Sequence, residues 1–329
     1  MKVFHICAGW EKNNGAANIA RMIMDEQRHT GHEVSFATWA TMQQLRSADE
    51  LWIHCGWLPC LWWAALCFSL TRRRRGAENT LKWMPEACYD PMRLGYHGWK
   101  KWLVGPIERW CLRRCDRIVA TCEAERGWIK AYLGKRCPEI EVTDIKRFFK
   151  LGSGGVGSGG VGSGGVGSGG VVFNNSQLTT HNSQLHLLYL GRRHPLKGLE
   201  YLEAAVRQIS SVPRSPFPIP PQLKIVSNAF GEEKEKVWEW CDVLVLPTLS
   251  ENFGLVIAEA LERGKRVITT DGAPAWESEC KMVSVKCKVG GGEVWSGYGG
   301  WLIYLKGYRD GTREERIELL KCAMESLVR

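Results

Sequence analysis

The chain is predicted to be an α/β protein of two domains, each a parallel sheet covered by helices. Three observations predict this. Its 329 residues exceed what one hydrophobic core ordinarily serves. Strand-like and helix-like segments alternate along both halves, the pattern of parallel sheets with helical crossovers. Between the halves, residues 152–171 are four copies of Gly-Ser-Gly-Gly-Val. No side chain there larger than valine can pack, and such chain behaves as flexible coil. The predicted boundaries are therefore 1–150, a linker over 151–180, and 181–329. Two Rossmann-like domains so joined would face a central ligand cleft at the carboxyl ends of their strands.

The elements follow in order. Strands are predicted over Val3–Cys7, Val34–Thr38, Leu51–Cys55, Thr80–Trp83 and Arg117–Thr121, with helices over Ala16–His29 and Ile107–Arg114. Gly31 stands where a glycine would end the first helix. In the second domain, strands are expected over Leu185–Leu190, Leu223–Val226, Val243–Leu246 and Val267–Thr270. Helices are expected over Gly198–Ile209, Glu232–Trp240, Leu255–Arg263 and Arg313–Leu327, the last packing back on the first domain. Asp116, Asp242 and Asp271 sit beside strands or helices and read as caps or turns.

Composition narrows the class. Hydrophobic residues at 44% and charged residues at 24% are those of a globular protein. A net charge of +9 suits an anionic partner such as nucleotide phosphates or an acidic lipid surface. Thirteen scattered cysteines with no C-x-x-C pair suggest reduced thiols rather than a disulfide framework or a zinc site. The opening MKVFHICAGW reads as a buried strand and not as a secretory signal. Leu51–Leu70 has the length of a bilayer span, but His54, Gly56 and Pro59 divide it into strand, turn and short apolar helix. With its tryptophans and Arg72, Arg73, Arg74 and Arg75, it is expected to lie on a membrane surface, the arginines at the headgroups. No nucleic-acid-binding module is visible, nor a metal constellation or nucleophile elbow.

The most informative stretch is Leu244–Glu277. A buried strand ends at Pro247, a polar loop follows, and a helix is entered through Gly254, with Glu251 before it and Glu259 within it. The free amides at Asn252, Phe253, Gly254 and Leu255 and the helix dipole favour a phosphate there. Glu251 would accept hydroxyls of a sugar beyond that phosphate, and Glu259 could grip ribose hydroxyls. The segment closely resembles the E-x7-E region of the family 4 retaining glycosyltransferases. Upstream, Tyr189–Ala205 resembles that family's diphosphate clamp, which gives Arg192 and Lys197 the phosphate-binding roles. Preplaced cations would meet the charge growing on a departing diphosphate.

The first half matches the family more loosely. Asn13–Val34 resembles its glycine turn and first helix, with Gly15 where backbone approaches the donor. A Pro-His-Gly turn near the donor sugar is here Pro85-Glu86-Ala87, which makes Glu86 a candidate contact. His54, at a strand end on the expected cleft edge, is a second candidate. The resemblance implies a GT-B fold and transfer, with retention, from a nucleotide-diphosphate sugar to a glycan or lipid-linked acceptor in surface polysaccharide or lipopolysaccharide synthesis. No metal or further cofactor is expected, since Arg192, Lys197 and the helix start supply the positive field. No nucleic-acid partner is expected without a binding module. The reduced thiols and the segment ending in Arg72–Arg75 suggest a cytoplasmic location, peripheral at the inner membrane face. Two alternatives stay open: a weakened scaffold that binds nucleotide without turnover, and another GT-B enzyme such as a sugar-nucleotide epimerase.

Overall fold

The computed structural model describes residues 1–7, 15–73, 79–96, 98–151, 184–211, 216–227, 229–282 and 291–327. The chain forms two compact units, residues 1–148 and 149–329. The glycine-serine tract, Asn13, Asn14, Arg74 and Arg75 lie outside the described residues, as do the side chains of Arg72 and Arg73.

In the first unit the order is β1 (Lys2–Cys7), α1 (Gly15–His29), β2 (Glu33–Ala37), α2 (Met42–Ser47), β3 (Glu50–His54) and α3 (Pro59–Arg73). Then come β4 (Thr80–Met84), α4 (Pro91–Gly95), α5 (Gly98–Leu112), β5 (Arg117–Ala120), α6 (Glu123–Leu133) and β6 (Glu139–Val142). The strands pair in parallel in the order β2-β1-β3-β4-β5-β6. Ala17, Ile19, Ala20, Ile23 and Met24 give α1 one buried stripe at helical spacing. Gly31, at φ +84°, then turns the chain into β2 at little steric cost.

In the segment expected on a membrane surface, α3 packs Leu61, Ala64, Ala65 and Phe68 into the core beneath the sheet. No helix among the described residues is long and apolar enough to cross a membrane. The helix expected from Ile107 begins at Gly98 and runs through Pro106, because a proline interrupts one backbone bond of a helix without always ending it.

The second unit contains β7 (His186–Leu190), α7 (Leu199–Ser211), β8 (Gln222–Val226), α8 (Gly231–Trp240), β9 (Val243–Val245), α9 (Leu255–Glu262) and β10 (Arg266–Thr270). β11 (Cys280–Met282), β12 (Glu293–Gly297), β13 (Leu302–Lys306) and α10 (Arg313–Glu325) complete it. Its sheet runs β11-β12-β13-β10-β9-β7-β8, and β12 is antiparallel to both of its neighbours. The terminal helix packs on α7 and β13 of its own unit. Ile317, Leu319, Leu320, Ala323 and Met324 supply its buried face.

Aspartates pin neighbouring strands in both units. Asp49 accepts Lys2 N–H at 2.7 Å, Asp116 accepts Leu81 N–H at 2.7 Å, and Asp242 accepts His186 N–H at 2.8 Å. Each carboxylate just before one strand satisfies an amide at the start of a neighbouring strand, which a sheet end otherwise leaves open. Among the described cysteines Cys322 is disulfide-bonded, a departure from the fully reduced set expected, whereas the others are free. Pairing depends on spatial approach and not on sequence spacing.

Candidate active site

In the second unit β7 is flanked by β8 on one side and β9 on the other. Consecutive strands therefore diverge there, and ligands of open α/β sheets bind at such a switch point, beyond the carboxyl ends of the strands. The loops leaving β7, β9 and β10 meet at this edge. The β7 loop closes in a 3-10 turn, Pro195–Lys197, capped by His194, whose Nδ1 accepts Leu196 N–H at 3.2 Å. Leu196 O then accepts Leu249 N–H at 2.8 Å, Ser250 N–H at 3.3 Å and the Thr248 hydroxyl at 3.1 Å. Glu251 N–H donates to Gly272 O at 2.7 Å, which ties in the β10 loop.

The result is that Lys197 and Glu251, 54 residues apart, form a direct ion pair in which both side chains are largely buried. Asn252 N–H donates to the other Glu251 oxygen at 3.1 Å. Gly254, in the left-handed region at φ +73°, opens α9 without a side-chain cap. The first helical amides thus receive no acceptor from their own N-cap, the condition under which an external anion serves. Phe253 is buried against Trp276, whose indole N–H donates to Phe253 O at 2.6 Å. That bond fixes the backbone leading into the helix, while Leu255 remains half-buried at its start.

The other predicted residues are placed as follows. Glu259 pairs with Lys234 of α8 at 2.6 Å; Lys234 has no spacing relation to the motif that could have flagged it. The Arg192 side chain is exposed and its carbonyl accepts the Tyr189 hydroxyl at 2.8 Å. The Tyr189 phenol is pushed up to about 12 by burial first and by the Glu251 charge second, with Arg193 and Arg192 opposing. Arg192 and Glu251 therefore bear on one buried hydroxyl. Gly15, at the start of α1 in the first unit, is exposed, and a side chain there would meet nothing within 4 Å.

His54 and Glu86 come together in the first unit, at the carboxyl ends of β3 and β4, and both are buried. His54 Nδ1 lies 3.3 Å from Glu86 Oε1, His54 Nε2 is 3.0 Å from His5 Nδ1, and His5 Nε2 is 2.7 Å from Gln27 Oε1. Burial lowers His54 to about 3 and, with the His54 charge second, lowers His5. Burial first and the neighbouring Glu125 charge second raise Glu86. One neutral arrangement satisfies the row: the Glu86 carboxyl donates to His54, His54 to His5, and His5 to the Gln27 carbonyl. His5 and Gln27 escape sequence reading because parallel registry alone brings β1 beside β3. Glu86 and Ala87 hold φ +56° and +57°, a left-handed turn without glycine. Glu125 fixes it by accepting Ala87 N–H.

This row makes a testable prediction. Unfolded histidines take up a proton as pH falls below about 6.5, whereas folded His54 resists to about 3, so its contribution to stability is full above pH 6.5 and lost on acidification. Buried Glu86, Glu108 and Glu125, raised chiefly by desolvation, act in the opposite sense. The difference between wild type and His54→Gln isolates the histidine. The destabilisation caused by the substitution should shrink by about 1.4 kcal/mol per pH unit between pH 6.5 and 5, read by urea denaturation. A pH-independent difference would show that His54 titrates normally in the folded chain.

Residues 184–282 match the family model of glycosyl transferases group 1, a segment that includes Arg192, Lys197, Glu251 and Glu259. No curated protein sequence matches the chain. Among solved structures, sucrose-phosphate synthase from Thermosynechococcus elongatus aligns with TM-score 0.54 at 14% identity, over 82% of this chain and 81% of that one. Anabaena HepE in complex with UDP and glucose aligns with TM-score 0.51 at 13% identity, over 99% and 94%. An E. coli trehalose-6-phosphate protein bound with UDP-2-fluoro glucose gives TM-score 0.52 at 10% identity, over 100% and 95%. Residues 184–282 thus resemble the group 1 glycosyl transferases, and the chain shares the GT-B fold of these solved structures.

Proposed function

We propose that the protein transfers a sugar, with retention, from a nucleotide-diphosphate donor to a glycan or lipid-linked acceptor of surface polysaccharide synthesis at the inner membrane face. The observation that carries this is the Lys197–Glu251 pair at the switch point of the family-matched unit. In the donor-free protein each neutralises the other. An arriving diphosphate competes for the lysine, and the released carboxylate becomes an acceptor for sugar hydroxyls.

Lys197, Arg192 and the start of α9 supply the positive field, so the reading assigns no metal and no cofactor. The bond from the anomeric carbon to the β-phosphate oxygen breaks as one to the acceptor oxygen forms. The acceptor proton passes to the departing phosphate on the same face. Preplaced charge of this kind is the largest single contribution in many enzymes. Asn252, Phe253, Gly254 and Leu255 line the donor side, and Glu259 takes the ribose. Gly15 is assigned to donor binding on the family resemblance of its segment. His54 and Glu86 support that unit's turn near the sugar.

UDP-, GDP- and ADP-sugars, compared by thermal shift, identify the base, since a ligand of the folded state raises its melting point. Transfer to a lipid-linked acceptor is then followed with the best donor. A stabilising donor that is neither hydrolysed nor transferred supports binding without turnover instead. Glu259→Ala is expected to weaken nucleotide binding about tenfold or more, the scale of one hydrogen bond to a charged group, by calorimetric titration. Unchanged affinity for the free nucleoside diphosphate removes Glu259 from the ribose.

A further inference from the structure

Helix α5 is amphipathic with its apolar side outward. Its inward face carries Gly105, Glu108, Cys111 and Leu112. Its outward face carries Trp99, Trp102 and Leu103, which are 66%, 79% and 58% exposed, and continues through Ile107 and Trp110. These positions recur at helical spacing and form one stripe. Glu108, the carboxylate of this helix, is buried and accepts from Trp57 N–H, the Tyr89 hydroxyl and the Trp62 indole. The cations of the segment are Lys100, Lys101, Arg109, Arg113 and Arg114. Lys100 lies 5.5 Å from the Trp99 ring and Arg114 lies 3.4 Å from that of Trp110.

We propose that α5 is the surface by which the protein lies on an anionic lipid bilayer. Indoles suit the interface between headgroup and acyl chain, aliphatic side chains enter below them, and cations meet the lipid phosphates. Fifteen residues give a helix of about 22 Å, suited to lie along the interface. Charge complementarity selects this occupant. A second copy docked symmetrically on the stripe would set Lys100 and Arg114, which lie against the exposed indoles of Trp99 and Trp110, close to the same cations of its partner. A nucleic-acid backbone would pair the cations but leave Leu103 and Ile107 without an apolar partner.

Placement adds a reason. Lys101 donates to Arg93 O and its ammonium stands 5.8 Å from the Trp57 ring, in the turn after β3. The first turn of α5 therefore lies beside the carboxyl edge of the first unit's sheet, where a lipid-linked acceptor would be presented. The inference deepens the membrane-facing part of the function proposed above; vesicle binding itself does not depend on the transfer chemistry.

The full chain is sedimented with phosphatidylcholine vesicles and with vesicles that also contain phosphatidylglycerol, and tryptophan emission is recorded. Binding to the anionic vesicles, weakened by salt and accompanied by a blue shift, is expected. Trp102→Ser combined with Leu103→Ser should lower partitioning at least about tenfold, with melting temperature and donor-induced stabilisation unchanged. Equal vesicle binding by the double variant overturns the assignment, as does absence of wild-type binding at low salt. A wild-type dimer in light scattering that the variant dissolves, or salt-sensitive retention of RNA in place of lipid, likewise overturns it. Vesicle binding without glycosyl transfer refutes the transfer reading and leaves this surface intact. Transfer to a soluble acceptor without vesicle binding does the reverse.

Discussion

Lys197→Ala is expected to lower turnover about a hundredfold or more, the loss seen when one preplaced transition-state contact is removed. The ammonium is held at the switch point by a 3-10 turn whose carbonyl at Leu196 accepts three donors from the β9 loop. Its position is thus set before any ligand arrives. Removing it does more than delete a cation. Glu251 stays largely buried with its charge facing the approaching diphosphate, so an attraction becomes a repulsion. Affinity for the donor should fall together with turnover. Lys197→Arg keeps the charge but spreads it over a wider fork, and should recover part of the loss. Because the pair is largely buried, leaving the Glu251 charge without its partner should also lower the melting temperature. Steady-state kinetics with a stabilising donor separate the effects, because a contact made only in the transition state lowers kcat and kcat/KM equally. Near-wild-type transfer by Lys197→Ala would remove the site assignment.

That this pair could be anticipated from sequence follows from how the second unit is built. Both residues lie in loops that leave strands of strong β pattern, and each loop carries its own dense motif. Parallel topology then makes adjacent strand ends meet. Residues whose role depends on contacts between unrelated elements were not legible. Lys234 reaches Glu259 from a different helix, and His5 meets His54 because β1 pairs with β3. The antiparallel edge of β11, β12 and β13 was missed: β11 spans only three residues and β12 carries Ser296 and Gly297, although β13 is a buried apolar run. In the apolar run at 51–70, helical periodicity carries Leu61, Ala64, Ala65 and Phe68 inward, a packing role that hydrophobicity and the flanking arginines did not reveal. The outward stripe of α5 stayed hidden because the helix was expected only from Ile107, which left Trp99, Trp102 and Leu103 outside it.

Gly198→Ala is expected to destabilise the second unit by on the order of 3 kcal/mol, combining overpacking with left-handed strain, and to abolish donor-induced stabilisation. Gly198 holds φ +62°, and a Cβ there would collide with the Pro247 carbonyl oxygen and stand 3.1 Å from its carbon. Neither atom can yield cheaply. Pro247 begins the loop that carries Glu251, and Thr248, Leu249 and Ser250 are bonded back to Leu196. Relief would push the β7 and β9 loops apart and open the distance that Lys197 must span. The opposite side of the same loop is equally closed, since a Cβ on Gly272 would come within 2.7 Å of the Thr248 and Leu249 carbonyl carbons. Gly31→Ala is the control: at φ +84° with no atom within 4 Å of the added carbon, it bears only the left-handed cost of about 1 kcal/mol. Urea denaturation of both variants, followed by nucleotide-sugar thermal shift, decides the point. If Gly198→Ala costs no more than Gly31→Ala and still responds to donor, the two loops are not the rigid frame that sets the ion pair.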